Sequence, residues 1–236
     1  MKIRIISFNI HKGYSLFNQK YTLNIVRELL RSYKPDIVLL QELHGLHPYK
    51  YNVEKTPLEE LADEHWPFYS HGVNSVYKEN FHGNAILSRY PIKSWNNLDI
   101  STNPLEKRGL LHSQIELDKS NVLDVFCTHL NLTPPGQSRQ TKTILDQVNP
   151  LISKSPLILA GDFNDWAGAV RNIILKNSEL LTIESLKTFP SIFPLLSLDG
   201  FFYKSLEVVK YERINDFKYY SDHLPILIDC EVPITS

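Results

Sequence analysis

Sulfur is scarce in this 236-residue chain, which has two cysteines, Cys127 and Cys230, and one methionine. Both cysteines stand in apolar stretches, and two are too few, too far apart, for a disulfide framework or a thiolate metal centre. Buried free thiols are the expectation. Charge of one sign is not in excess either: 25 Lys and Arg face 26 Asp and Glu, for a formal charge of −1. That balance argues against a protein whose main business is gripping a polyanion, although it leaves room for a local basic patch. Long hydrophobic runs are missing; stretches such as Ile37-Val38-Leu39-Leu40 fall far short of the ~20 residues that a membrane span needs. The apolar residues after Lys2 are cut short by Asn9, His11 and Lys12, so no secretory h-region forms and cytoplasmic residence is expected. No linker, repeat or low-complexity tract divides the sequence, which reads as a single domain over 1–236 with no obligate protein partner in evidence.

What is present alternates between strand and helix patterns. Lys2 to Ile10 alternates polar and apolar residues over most of its length. Thr22 is placed to cap a helix with Ile25, Val26, Leu29, Leu30 and Tyr33 on its apolar face, ended by Pro35. Asp36 to Gln41 then has the short apolar run of a strand buried on both faces. This opening points to the α/β class. Ala85 to Ser88, Ile92 to Leu98, Leu110 to Leu117 and Val122 to Leu130 follow as strands with turn-rich links, which predicts antiparallel neighbours. A helix over 137–154 is predicted from Ile144, Leu145, Val148, Leu151 and Ile152. After it come a buried strand at Leu157 to Ala160, a helix through Val170 to Leu175, and strands at Ser197 to Tyr203 and Leu224 to Val232.

Polar clusters fall where the buried strands run out. They are Asn9-Ile10-His11-Lys12-Gly13, Gln41-Glu42, Thr128-His129, Asp162-Phe163-Asn164 and Ser221-Asp222-His223. Rigid strands aim the side chains at their ends, and ligand sites of α/β proteins gather there. Glu42, Asp162 and Asp222 are hard oxygen donors suited to Mg²⁺ or Mn²⁺. Asn9 and Asn164 add amide groups, while His129 and His223 can carry charge near neutral pH. A phosphoester substrate calls for that set: a metal to neutralise oxygens, a carboxylate to activate water, and donors for the charged transition state.

In chain order, Ser7-Phe8-Asn9-Ile10, Gln41-Glu42, Gly83-Asn84-Ala85-Ile86-Leu87-Ser88-Arg89, Thr128-His129-Leu130, Gly161-Asp162-Phe163-Asn164, Leu198-Asp199 and Ser221-Asp222-His223-Leu224-Pro225 span nearly the whole chain. The ordered set resembles the endonuclease/exonuclease/phosphatase superfamily, metal-dependent phosphohydrolases with a DNase-I-like fold. The resemblance implies a four-layer α/β sandwich of two mixed β-sheets flanked by helices, with the site at one edge. It implies Glu42 as principal metal ligand, with Asn9 beside it and Asp222 at the same or a second metal position. Asp162 would orient or deprotonate the attacking water, and Asn164 would donate to phosphoryl oxygens. Asp199 would hold His223 as imidazolium, and His129 would contact phosphate or serve the leaving oxygen. The implied activity is a phosphoester hydrolase, preferably a phosphodiesterase, acting on nucleic acid, a phospholipid headgroup or a small metabolite. A non-catalytic phosphate-binding scaffold on the same fold is the alternative, and it predicts a missing ligand or base.

Departures from the family pattern sharpen the reading. His11 stands where some nucleases of the family carry an acidic ligand, which leaves His11 and Lys12 to meet substrate phosphate. Leu196-Ser197-Leu198-Asp199-Gly200-Phe201 replaces the Trp-Cys-Asp-Arg motif of the inositol-phosphatase branch. Asn9-Ile10-His11-Lys12-Gly13 and Lys107-Arg108-Gly109-Leu110-Leu111-His112 are similar to a group of small bacterial members. Plainer roles compete with these. Asp162 and Asn164 could cap the next helix, Arg108 could clamp phosphate or pair with Glu106, and Arg139 and Gln140 are expected to tie down their loop. His44 and His47 could line the rim, most other histidines are expected to be at the surface or structural, and Tyr14, Phe17 and Tyr21 are expected to pack.

Overall fold

The period of two along the strands decides how the core is divided. In β1 (Lys2–Asn9), Ile3 and Ile5 face one way and Ile6 and Phe8 the other, each pair joining a different apolar cluster. β2 (Ile37–Leu46) repeats the division, with Ile37 and Leu39 opposed to Val38 and Leu40. A strand apolar on both faces must be covered on both, and two covered sheets make a layered α/β structure. That is the arrangement in the computed structural model, which describes residues 1–15, 20–46, 56–77 and 80–233. Phe17 and His47 lie outside the described residues.

The remaining strands are β3 (Phe68–Tyr77), β4 (Asn80–Ser88), β5 (Ile92–Asp99), β6 (Gly109–Glu116), β7 (Val122–His129), β8 (Leu157–Asp162), β9 (Leu181–Thr182), β10 (Asp199–Lys204), β11 (Glu207–Arg213) and β12 (Ile226–Glu231). They form two six-stranded sheets in the orders β11-β12-β1-β2-β4-β3 and β5-β6-β7-β8-β10-β9. Each sheet is mixed: β1 with β2 and β7 with β8 are parallel, and the other pairs are antiparallel. Helices α1 (Leu23–Tyr33) and α2 (Pro57–Ala62) cover the first sheet, and α3 (Pro134–Val148) and α4 (Ala169–Asn177) the second. The two inner faces meet through Ile5, Leu39, Val125 and Ile158, all fully buried. Burial of each such side chain contributes roughly 1.5–3 kcal/mol, so this interface fixes how the sheet edges lie against each other.

Several local expectations change. Thr22 does not cap α1; its hydroxyl donates to the carbonyls of Gly13 and Tyr220, tying the start of the helix to two loops instead. Ile25 is exposed, and the buried stripe of α1 is Leu23, Val26 and Leu30. The helix expected over 137–154 starts earlier, because Pro134 and Pro135 suit a first turn, and ends at Val148. Turns then carry Leu151 and Ile152 against the same cluster. Strands β3, β9 and β11 and helix α2 had no distinct pattern in the sequence. β3 and β11 sit at sheet edges and expose side chains such as Val73, Val76 and Val209, which blurs their alternation.

Gly161 is the closest backbone approach beside the parallel pair. Its φ is +150°, and a Cβ there would lie 1.9 Å from the Thr128 carbonyl oxygen on β7. Neither strand can yield without moving the residues that follow it. Gly161→Ala is expected to cost about 2–4 kcal/mol, lowering the thermal midpoint by about 5–15 °C in a calorimetric scan. An unchanged midpoint would contradict this packing.

Candidate active site

The inward rows do not stop where the apolar core stops. On β1 the row Ile3, Ile5 runs on to Ser7 and Asn9, and on β8 the row Ile158, Ala160 runs on to Asp162. On β7, Val125 and Cys127 lead to His129; on β10, Phe201 is preceded by Asp199; on β4, Ile86 leads back to Asn84 and His82. Strand directions bring these polar ends to one edge of the sandwich. The Asn9 amide donates to Asp162 Oδ2 at 3.0 Å, which joins the two sheets. Asp162 Oδ1 accepts the Asn164 backbone N–H at 2.9 Å. His223 Nε2 and His129 Nε2 each lie 3.5 Å from Asp162 Oδ2. His223 Nδ1 is bonded to Asp199 Oδ2 at 2.8 Å, and Thr188 donates to that same oxygen.

Glu42 reaches this edge by a different device. The pairing of β2 with β4 shifts between Leu40 and Leu43, and Glu42 takes a left-handed φ of +56° within the bulge. Its Oε1 lies 3.9 Å from His129 Nδ1. His11, Lys12 and Asn164 also have positive φ, so the left-handed backbone is concentrated at this edge. Such residues persist where the surroundings over-determine them, and they cluster at functional sites. Asp222 turns to His11, whose Nδ1 lies 2.8 Å from Asp222 Oδ2, and the Ser221 hydroxyl donates to the Asn9 carbonyl.

The remaining candidates divide. Lys12 is exposed at the rim. Arg108 donates through Nε to the Leu130 carbonyl at 3.1 Å and lies 3.7 Å from Glu106, so it ties two loops together. Gln140 is buried and pins Asn131 and Ile100, as expected, while the exposed Arg139 bonds to Pro135 of its own helix. Capping of α4 falls to Asp165, whose carboxylate accepts the N–H groups of Val170 and Arg171, and not to Asp162 or Asn164.

Charge is distributed unevenly among the buried groups. Burial raises the Asp162 carboxyl, and nearby Asp199 adds to this; His223 and the donors Asn164 and Asn9 oppose it, leaving a pKa of about 7. Burial works against a charged His223, but Asp199, Asp162 and Asp222 outweigh it and push it up to about 10. His129 goes the other way: burial, with Arg108, His82 and the imidazolium of His223 around it, holds it well below 6.5 and neutral. Its tautomer follows from Asn164. The Leu130 carbonyl can only accept, so the Asn164 amide nitrogen, 2.9 Å away, faces it; that same nitrogen lies 3.1 Å from His129 Nε2. Nε2 therefore accepts, and the proton sits on Nδ1, a buried atom with no hydrogen-bond partner among the described residues.

A family model described as "Endonuclease/Exonuclease/phosphatase family" matches residues 6–223, from β1 to His223. The chain belongs to this family. Its members are typically phosphoester hydrolases and generally use divalent metals. YbhP of Escherichia coli (strain K12), an uncharacterized protein, is 35% identical over 237 residues, covering 94% of each chain. A family protein of Beutenbergia cavernae superposes with a TM-score of 0.79 at 20% identity, covering 98% of this chain and 72% of that one. A mannosyl-6-phosphatase of Bacteroides thetaiotaomicron gives 0.75 at 16% identity, covering 97% and 99%. At these identities the two structures show a shared fold and nothing finer.

The donor set of this family member fits a hard divalent cation on the Glu42 side. Asn9 pairs with Gln41, the residue before Glu42, in the β1–β2 register; its backbone carbonyl is taken by Ser221, so the oxygen it can offer is the side-chain Oδ1, which also accepts the His11 N–H at 3.0 Å. Asp162, Asp199 and His223 bring ligand atoms within 4.8 Å of one another and resemble a second site. Charge argues otherwise: an imidazolium bonded to Asp199 has no lone pair to give. Sequence reasoning passed over His82 and Thr188. The row Ile86, Asn84, His82 was readable by counting twos from the apolar core, whereas nothing near Thr188 marked it.

Stability carries the signature of His223. A pKa raised from 6.5 to about 10 stabilises the fold fully below pH 6.5, and that contribution is lost as pH climbs towards 10. Unfolding midpoints in EDTA are expected to fall across this window, more steeply than in His223→Gln. Parallel curves for the two proteins would contradict the assignment.

Proposed function

We propose that this protein is a Mg²⁺- or Mn²⁺-dependent phosphodiesterase that cleaves its substrate by in-line attack of water. One observation carries the reading: a buried carboxylate, Asp162, held by Asn9 and the Asn164 N–H beside a histidine kept cationic by Asp199. Glu42 and Asn9 would hold the metal, with Asp222 next to them through His11. A divalent ion there supplies neutralisation of phosphate oxygens and a fixed position for the phosphoryl group.

The chain's own residues account for the rest. With its pKa lifted to about 7, Asp162 is a stronger base than an ordinary carboxylate and takes the proton of the attacking water as the new P–O bond forms. His223, cationic and anchored at Nδ1, presents Nε2–H to the charge that grows on the phosphoryl oxygens. The neutral His129 offers Nδ1–H on the Glu42 side, where the departing oxygen leaves as the second P–O bond breaks. Lys12 and His11 are the rim contacts for phosphate.

A diester suits this charge better than a monoester. His223 is the cation facing Asp162, while Arg108 is engaged by Leu130 and Glu106 and His129 is neutral. A diester monoanion needs less compensation than a monoester dianion. The fold itself does not decide, since the Bacteroides neighbour bears the name of a phosphatase.

Hydrolysis of bis-p-nitrophenyl phosphate is expected with Mg²⁺ or Mn²⁺, to vanish in EDTA and to return when metal is restored. Asp162→Asn is expected to lower kcat by about a thousandfold or more. Glu42→Gln is expected to raise the metal concentration for half-maximal rate at least tenfold. EDTA-insensitive turnover, or an Asp162→Asn variant as fast as wild type, would contradict the proposal; the same low background with and without EDTA, with the variant no slower, would favour a binding scaffold.

A further inference from the structure

The loops that encircle the candidate site carry large apolar side chains at their tips. Leu105, in the β5–β6 loop, is 86% exposed, Phe193 is 69% exposed and Trp166 is 52% exposed. Leu132, Leu195 and Tyr219 are exposed as well. Hydrogen bonds and ring contacts link these loops in series around the site. Leu132 N–H faces Glu106 Oε1 at 3.5 Å, joining the β7–α3 loop to that of Leu105. Gln137 bonds the Asn131 and Asn164 carbonyls, joining it to the loop of Trp166. Trp166 packs edge-on against Phe189, which lies 5.0 Å from the His223 ring. The Ser191 hydroxyl donates towards the Lys218 and Ser221 carbonyls, joining the segment of Phe193 and Leu195 to that of Tyr219. The apolar tips thus lie on a continuous series of loops that borders the mouth of the site.

Charge in the same loops is complementary to an anionic surface. Lys12, Lys20, Arg139 and Lys187 are exposed, and Lys107 and Lys218 are half-exposed beside Leu105 and Tyr219. The acids of these loops are mostly engaged: Glu106 by Arg108 and Asn103, Asp165 by the start of α4, Asp216 by Tyr33 and Asp222 by His11. A ring of exposed apolar tips interleaved with lysines is the pattern of a surface that inserts shallowly into a lipid interface while its cations meet headgroups. A polynucleotide fits less well, because three of the six apolar tips are leucines, which offer no stacking face.

We infer that the mouth of the site, ringed by Leu105, Leu132, Trp166, Phe193, Leu195 and Tyr219, docks on a bilayer bearing anionic phospholipid and takes a headgroup phosphodiester as substrate. The substrate class rests on the phosphodiesterase reading; the docking itself does not. Trp66 is buried and Trp95 is exposed, so in a Trp95→Phe background the exposed indole that reports is Trp166.

Co-sedimentation in EDTA separates docking from catalysis. Wild-type protein is expected to pellet with vesicles of equal phosphatidylglycerol and phosphatidylcholine, and at least tenfold less with phosphatidylcholine alone. Trp166 emission is expected to shift to the blue with the anionic vesicles. Leu105→Glu combined with Phe193→Glu is expected to lose binding at least tenfold while cleaving bis-p-nitrophenyl phosphate at the wild-type rate. Absence of wild-type binding, equal binding by the glutamate variant, or release of bound protein from vesicles by a short DNA or RNA duplex would overturn docking. Vesicle binding without any metal-dependent cleavage of the soluble diester would instead overturn the phosphodiesterase reading and leave docking intact.

Discussion

A buried carboxylate facing a buried imidazolium is the relation on which the rest of this structure depends. Asp162 ends β8 and His223 lies in the segment that leads into β12 of the other sheet, and neither has the charge it would have in water. Burial pushes a carboxylate towards its neutral form, and Asp162 resists only because Asn9, the Asn164 N–H and His223 surround it. His223 is charged because three carboxylates lie near it. Each depends on the sheets being held at a fixed separation, which the fully buried contacts among Ile5, Leu39, Val125 and Ile158 provide. The apolar core and the polar edge are therefore one construction, with the same rows of side chains changing from hydrocarbon to hydrogen-bonding groups over one pleat.

That construction explains why five short polar clusters, distant in sequence, meet. A parallel pair in each sheet sends β1 and β2, and β7 and β8, to the same edge, and antiparallel partners supply Asp199 and His82 from strands that begin there. Asn9, His129 and Asp162 are simply the next inward positions. Glu42 is the exception, because the pleat alone would not deliver it. A bulge and a left-handed residue rotate it into place, a cost in backbone strain of order 1–3 kcal/mol that the neighbouring strands sustain.

Much of this was legible in the sequence, for a physical reason. Strands buried on both faces have apolar runs that cannot be mistaken for loops, and the chemistry at their ends stands out against them. Asp36 to Gln41 and Leu157 to Ala160 are of this kind. Edge strands such as β3 and β11 keep one face in water, and their mixed sequences gave no clear period. Partners that act through another residue were also hidden. Thr188 matters through Asp199, and Thr22 ties two loops instead of capping a helix, and both are choices made by tertiary contacts. The tautomer of His129 depends on which way one amide turns, a fact no sequence carries.

Two places at this edge could attract a cation, and the electrostatics separate them. Asp162, Asp199 and His223 are close enough to look like a ligand set, yet the imidazolium fills that space with charge of the wrong sign. Glu42 and Asn9 offer oxygen donors on the side of the protonated Nδ1 of His129, which lies 3.9 Å from Glu42 Oε1. Anomalous diffraction from crystals soaked in Mn²⁺ tests this most directly. The account predicts a peak at the Glu42 carboxylate with the Asp199–His223 bond intact; a peak enclosed by Asp162, Asp199 and His223, or none at all, would contradict it.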